Sequence, residues 1–187
     1  MQCFEATLCS EPRYLWVGTV SPELEQIRRE VERVTAAMSP DDWAYAPPGK
    51  WSCAQILEHL LLSYKATTTG AQKAIRSGKP LGGQPTLKDK LATFYVARLG
   101  LLPSGRKAPN QTIPSNGSGI RSLGQFNDAL VAMDASLADA EKRFGSAVRI
   151  LDHPILGPLN AKEWRRVHLT HARHHLKQIA RHIRKAS

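Results

Sequence analysis

The sequence predicts an all-α fold, an antiparallel four-helix bundle with one extra short helix and a long loop. Three observations carry this expectation. Apolar residues recur at three- and four-residue spacing in long segments. Those segments open on Ser or Asn followed three residues later by a side-chain acceptor, or on Ser-Pro. Strand-like alternation is almost absent.

The elements follow in chain order. Ser21-Pro22 opens the first helix, with serine as N-cap and proline at the first helical position. Leu24, Ile27, Val31 and Val34 form its apolar stripe, and the run ends near Met38. Ser39-Pro40-Asp41-Asp42 reads as a capped single turn, and Pro47-Pro48-Gly49 as a connector. Ser52 and Gln55 form a capping box for the second helix, which runs through Ile56, Leu57, Leu60, Leu61 and Tyr64 to about Ile75. Leucines surround it almost completely, so it belongs at the centre. Ser77-Gly78-Lys79-Pro80 stops it, and a short helix spans Leu87 to about Leu99. Leu102 to Ser122 reads as irregular; a loop of that length inside a compact domain often lines a site. A further helix runs from Gly124 to Phe144. His153-Pro154-Ile155-Leu156-Gly157-Pro158 is too interrupted to build a sheet. The last helix begins at Asn160, with Glu163 as capping partner, and runs to the end. This organisation fits one domain over 1–187, with an N-terminal extension at 1–20 and a partly irregular insertion at 78–122.

Bulk properties narrow the function classes. The 187 residues suffice for one core. No apolar run reaches the roughly 18 residues of a membrane span. Ile56 to Leu62 is broken by Glu58 and His59, and Met1 to Arg13 lacks the pattern of a signal peptide. A cytoplasmic location is expected. Cys3, Cys9 and Cys53 offer no disulfide framework, and Cys53 reads as a packing residue near a helix start. The 26 Lys plus Arg against 16 Asp plus Glu give +10, spread along the chain apart from the last helix and the Arg106-Lys107 corner. Gly117-Ser118-Gly119 follows no strand and is a poor dinucleotide fingerprint.

The chemistry-bearing residues are histidines. At about 100° per residue, Trp164, Ala172, Leu176, Ile179 and Ile183 form the apolar half of the last helix. His171 and His175 fall on that side, whereas His174 falls among the charges and should be solvated. Imidazoles at i and i+4 on a buried face reach one ion. His59 is the leading third ligand, because it interrupts the apolar second helix. Ser63, Ala66 and Gly70 line its face and leave room for water or substrate. His168, His182 and His153 are the remaining options. Three neutral imidazoles with open positions suit Zn²⁺, Ni²⁺ or Fe²⁺.

Two stretches carry a family resemblance. Trp51-Ser52 leads to Gln55-Ile56-Leu57-Glu58-His59-Leu60. Further on, His153-Pro154-Ile155-Leu156-Gly157-Pro158-Leu159 leads through Glu163-Trp164 to His171-Ala172-Arg173-His174-His175-Leu176-Lys177-Gln178. Over about residues 20 to 185 the chain resembles the DinB/YfiT-like superfamily of metal-binding four-helix bundles, in a subgroup of uncharacterised bacterial members. The resemblance implies a divalent-metal site of His59, His171 and His175, with Gln178 completing the motif. It also implies a homodimer, and either thiol S-transfer with a low-molecular-weight thiol or metal-dependent hydrolysis. Gln178 orients a ligand or caps a polar gap, and Arg106 and Lys107 are candidates to receive an anionic thiol or carboxylate. The alternative function is a non-catalytic, stress-related binding protein that touches nucleic acid through the basic last helix. No nucleic-acid motif or aromatic interleaving supports such contact.

Overall fold

The computed structural model describes residues 18–102, 107–115 and 117–186. Cys3, Cys9 and Arg106 lie outside them. The fold is mostly helical: α1 (Pro22–Thr35), α2 (Pro40–Ala44), α3 (Cys53–Ser77), α4 (Leu87–Leu99), α5 (Gly119–Phe144) and α6 (Ala161–Ala186). A 3₁₀ turn (Asn110–Thr112) and a two-stranded hairpin of β1 (Leu151–His153) and β2 (Gly157–Leu159) complete it among the described residues. No helix among the described residues is long and apolar enough to cross a membrane.

Helix starts obey local chemistry. Ser39, Ser52 and Thr86 each accept from the N3 amide, while the N3 side chain takes the cap's own amide, so two orphan donors are satisfied at once. Asn160 and Glu163 make the same reciprocal pair at the start of α6. Ser21 starts α1 without a side-chain cap bond, leaving Pro22 to set the first turn. That helix stops at Thr35, before Met38, and the chain closes a turn through Met38 N–H to Thr35 O. Gly78, at φ 72°, ends α3 in the left-handed conformation that favours glycine.

Packing places α3 at the centre, where it meets α2, α5, α6, β1 and the 3₁₀ turn; α1 lies against α5 and α6. Leu57, Leu60, Tyr64, Phe126, Leu130, Met133 and Leu137 are fully buried in one apolar cluster that also includes Leu24, Ile27, Leu159 and Ile179. The expected central role of α3 follows from this.

Two segments differ from the sequence reading. First, α5 begins at Gly119 rather than Gly124. Ser118 caps it by accepting from Arg121 N–H, and Gly119 is pressed so closely to the Trp43 indole that a Cβ would collide with it. The extra turn exists because a partner distant in sequence covers it. Second, residues 151–159 do form a sheet, a small antiparallel hairpin with Leu151 opposite Leu159 and His153 opposite Gly157. The His153 ring explains why proline and glycine do not break it. Its Nδ1 accepts from the amides of Ile155 and Leu156 at 3.1 and 3.2 Å, and Gly157 takes φ 70° to reverse the chain. Leu151 and Leu159 then bury their side chains in the core.

Candidate metal centre

His59 stands on α3, and His171 and His175 on α6, one turn apart. Helix packing brings all three Nε2 atoms together: His59 to His171 at 3.1 Å and His175 to His171 at 3.0 Å. One ligand atom from each lies within 4.8 Å of the others. Ligand nitrogens spread tetrahedrally about an ion at 2.0–2.1 Å sit about 3.3 Å apart, so the two pairs that involve His171 are near the spacing of a coordination shell.

The outer nitrogens decide what the cluster can do. The Nδ1–H of His59 donates to the backbone carbonyl of Thr112 at 2.7 Å. A carbonyl only accepts, so in the neutral ring this bond fixes the proton on Nδ1 and leaves a lone pair on Nε2. His175 is fixed in the same way, its Nδ1–H donating to Gln178 Oε1 at 2.8 Å. The Gln178 amide then donates to His174 Nε2 at 3.1 Å. Two lone pairs therefore face the Nε2 of His171, which carries at most one proton. The cluster is one donor short, a deficit that a bound cation would relieve.

Protonation offers no remedy near neutral pH. Burial pushes His59 below the usual imidazole range, opposed only in part by the Thr112 bond. Burial, then the neighbouring His175 and His59, holds His171 well below it. Burial, then His59, takes His175 down to about 3. Neutral imidazole is the form that ligates. The Trp51 indole packs on the His59 ring, centroids 5.0 Å apart.

The other histidines place no nitrogen in this group of three. His168 is buried, shares a hydrogen bond with Thr67 Oγ1 at 3.0 Å and stacks on Trp164. His153 belongs to the hairpin, and His182 packs edge-on to Tyr45. His174 is not fully solvated as expected: it is half-buried, held by Gln178, with its ring edge against His175. Gly70 does not open substrate space. A Cβ there would meet the Leu151 side chain at 3.0 Å, so the small residue lets the hairpin close on α3. Ser63 spends its hydroxyl on the His59 carbonyl of its own helix.

The irregular segment supplies a contact that no side-chain pattern announced. Thr112 acts through its backbone oxygen, which residue type does not encode. Glu58, next to His59, straps the same segment down by accepting from Ser115 Oγ at 2.6 Å and from Gly117 N–H at 3.3 Å. Lys107 is exposed. Burial takes the Cys53 thiol up to about 11, against any activation by the helix dipole. Two cations of α6 are engaged within the fold: Arg165 pairs with Asp134 and Glu141, and Arg173 with Glu30 and Gln26.

A family model described as a protein of unknown function (DUF1569) matches residues 23–182, and the chain belongs to that family. No curated protein and no solved structure matches it.

Proposed function

Membership in that family names no chemistry, so we propose from the site that this protein is a divalent-metal-dependent enzyme acting on a small molecule. His59, His171 and His175 are the ligands, the ion is Zn²⁺, Ni²⁺ or Fe²⁺, and the reaction is thiol S-transfer or hydrolysis. One observation carries the reading: three Nε2 atoms converge in a largely buried cluster while the Nδ1 protons of two rings are held outward by Thr112 O and Gln178 Oε1. When bound, a divalent ion lowers the pKa of a thiol or water at its open position and provides a nucleophile near neutral pH. His59 and His175 keep lone pairs directed inward, and Trp51 shields one ring from water.

The wider resemblance is part of the proposal. The packing of α1, α3, α5 and α6 is read as an antiparallel bundle of the DinB/YfiT-like type. Homodimer formation is read from α4, where Leu87, Leu91, Tyr95 and Leu99 recur every four residues and are each at least half exposed.

Elemental analysis of purified protein, before and after reconstitution with each ion, tests the centre. About one ion per chain is expected, with loss of occupancy in His59→Ala and His175→Ala. Wild-type protein that holds no ion after reconstitution sinks the reading. A screen of low-molecular-weight thiols and hydrolysable esters on the loaded protein then separates transfer from hydrolysis.

A further inference from the structure

A second feature lies on another side of α6. A cavity of about 230 Å³ opens between α4, the hairpin and the start of α6. Four cations from three separate segments line it: Lys90 and Arg98 on α4, Arg149 just before β1, and Arg166 on α6. Phe94 supplies an apolar wall. On α6, Arg166 is turned about 140° from His171, so the cavity and the histidine cluster occupy different faces.

The charge in this cavity is not cancelled locally. Its two carboxylates are already engaged. Asp89 accepts from the backbone amide and hydroxyl of Thr86 at its own helix start, which holds its carboxyl below the usual range. Glu163 accepts from the Asn160 amide and pairs with Arg149. Arg166 reaches only Glu23, at 3.8 Å. Lys90 and Arg98 have no ion pair among the described residues. Four positive groups against Asp89, Glu163 and the more distant Glu23 leave a net positive charge, carried by the unpaired Lys90 and Arg98, in a concave, partly apolar site. Such walls concentrate the field and raise the local concentration of anions. The volume lies below the roughly 300 Å³ at which pockets for drug-sized ligands begin, so the occupant is compact.

We infer that this cavity is a binding site for a small oxyanion, a phosphate- or carboxylate-bearing molecule, held by Lys90, Arg98 and Arg166 with its apolar portion against Phe94. Guanidinium forks suit both oxyanions, since each offers paired acceptor oxygens. The site is independent of the histidine centre, and its test works on metal-free protein.

Chelator-treated full-length protein is titrated calorimetrically with inorganic phosphate and, separately, with succinate, at low and at moderate salt. Saturable binding of at least one probe is expected, weakening as salt rises. Preference for phosphate or for succinate identifies the oxyanion class. A Lys90→Ala/Arg98→Ala variant should bind at least tenfold more weakly. Arg98→Lys, which keeps the charge but not the fork, should fall in between. Both positions sit on an exposed helix, and circular dichroism checks that α4 is retained. No saturable binding of either probe by wild type, or equal binding by the double variant, overturns the inference.

Discussion

Replacing Gln178 with leucine tests whether the ring geometry at the histidine cluster is held from outside. The Nδ1–H of His175 donates to Gln178 Oε1 at 2.8 Å in a largely buried setting. Leucine is apolar and of similar size, so it removes the acceptor while filling the space. In the ion-bound state the His175 proton must stay on Nδ1, where it would then be a buried donor without a partner. That costs about 1–3 kcal/mol. In the ion-free state the proton moves to Nε2 and finds His171 Nε2, 3.0 Å away, so the penalty falls mainly on the bound state. Ion affinity should therefore drop about 10- to 100-fold, the range seen when such outer partners are removed. Gln178→Glu, which keeps an acceptor, should bind at least as well as wild type. Competition against a chelator of known affinity reads the change, and thermal melting of chelated protein confirms that the fold is retained. Wild-type affinity in the leucine variant would refute the tautomer argument, even if the three histidines do hold an ion.

Acid should unfold the chelated protein well above the pH range of carboxylate titration. Burial takes His153 to about 4, and burial with a neighbouring imidazole takes His168 and His175 to about 3. The unfolded chain takes up these protons near pH 6.5 and the folded chain only near 3–4, so stability is full above 6.5 and declines as pH falls through that window. Urea midpoints measured at pH 7.5 and pH 5.0 should differ clearly, and identical midpoints would contradict the neutral, buried state of these rings. Cys53 should resist thiol reagents in the native state, because its side chain is fully buried and its thiol is raised to about 11. Labelling at the unfolding rate is expected, and rapid labelling of Cys53 in native protein would show that α3 is not sealed at its start.

How much the sequence revealed depended on whether the physics was local. Capping boxes at Ser39, Ser52 and Asn160 involve residues three apart, so they were readable before any packing was known. Helical phase likewise separated the inward His171 and His175 from the charged face of α6. It left His174 on the solvated side, because the Gln178 amide that holds it is a matter of rotamer choice rather than spacing. The start of α5 is not legible in this way, since Gly119 reads as a helix breaker unless Trp43 packs against it. Nor is the hairpin, because a histidine ring, not a strand pattern, satisfies its turn.

The sequence by itself determined the helical class, most helix starts and the inward pair on α6, since propensity, capping and a 3.6-residue period act within one segment. Only the tertiary structure decided that His59 reaches this pair, that Thr112 presents its carbonyl to His59, and that Gly70 receives Leu151 rather than leaving space. It also gathered Lys90, Arg98, Arg149 and Arg166 around one cavity. Each of these depends on backbone atoms or side chains brought together from distant parts of the chain, and their meeting is set by how the helices pack.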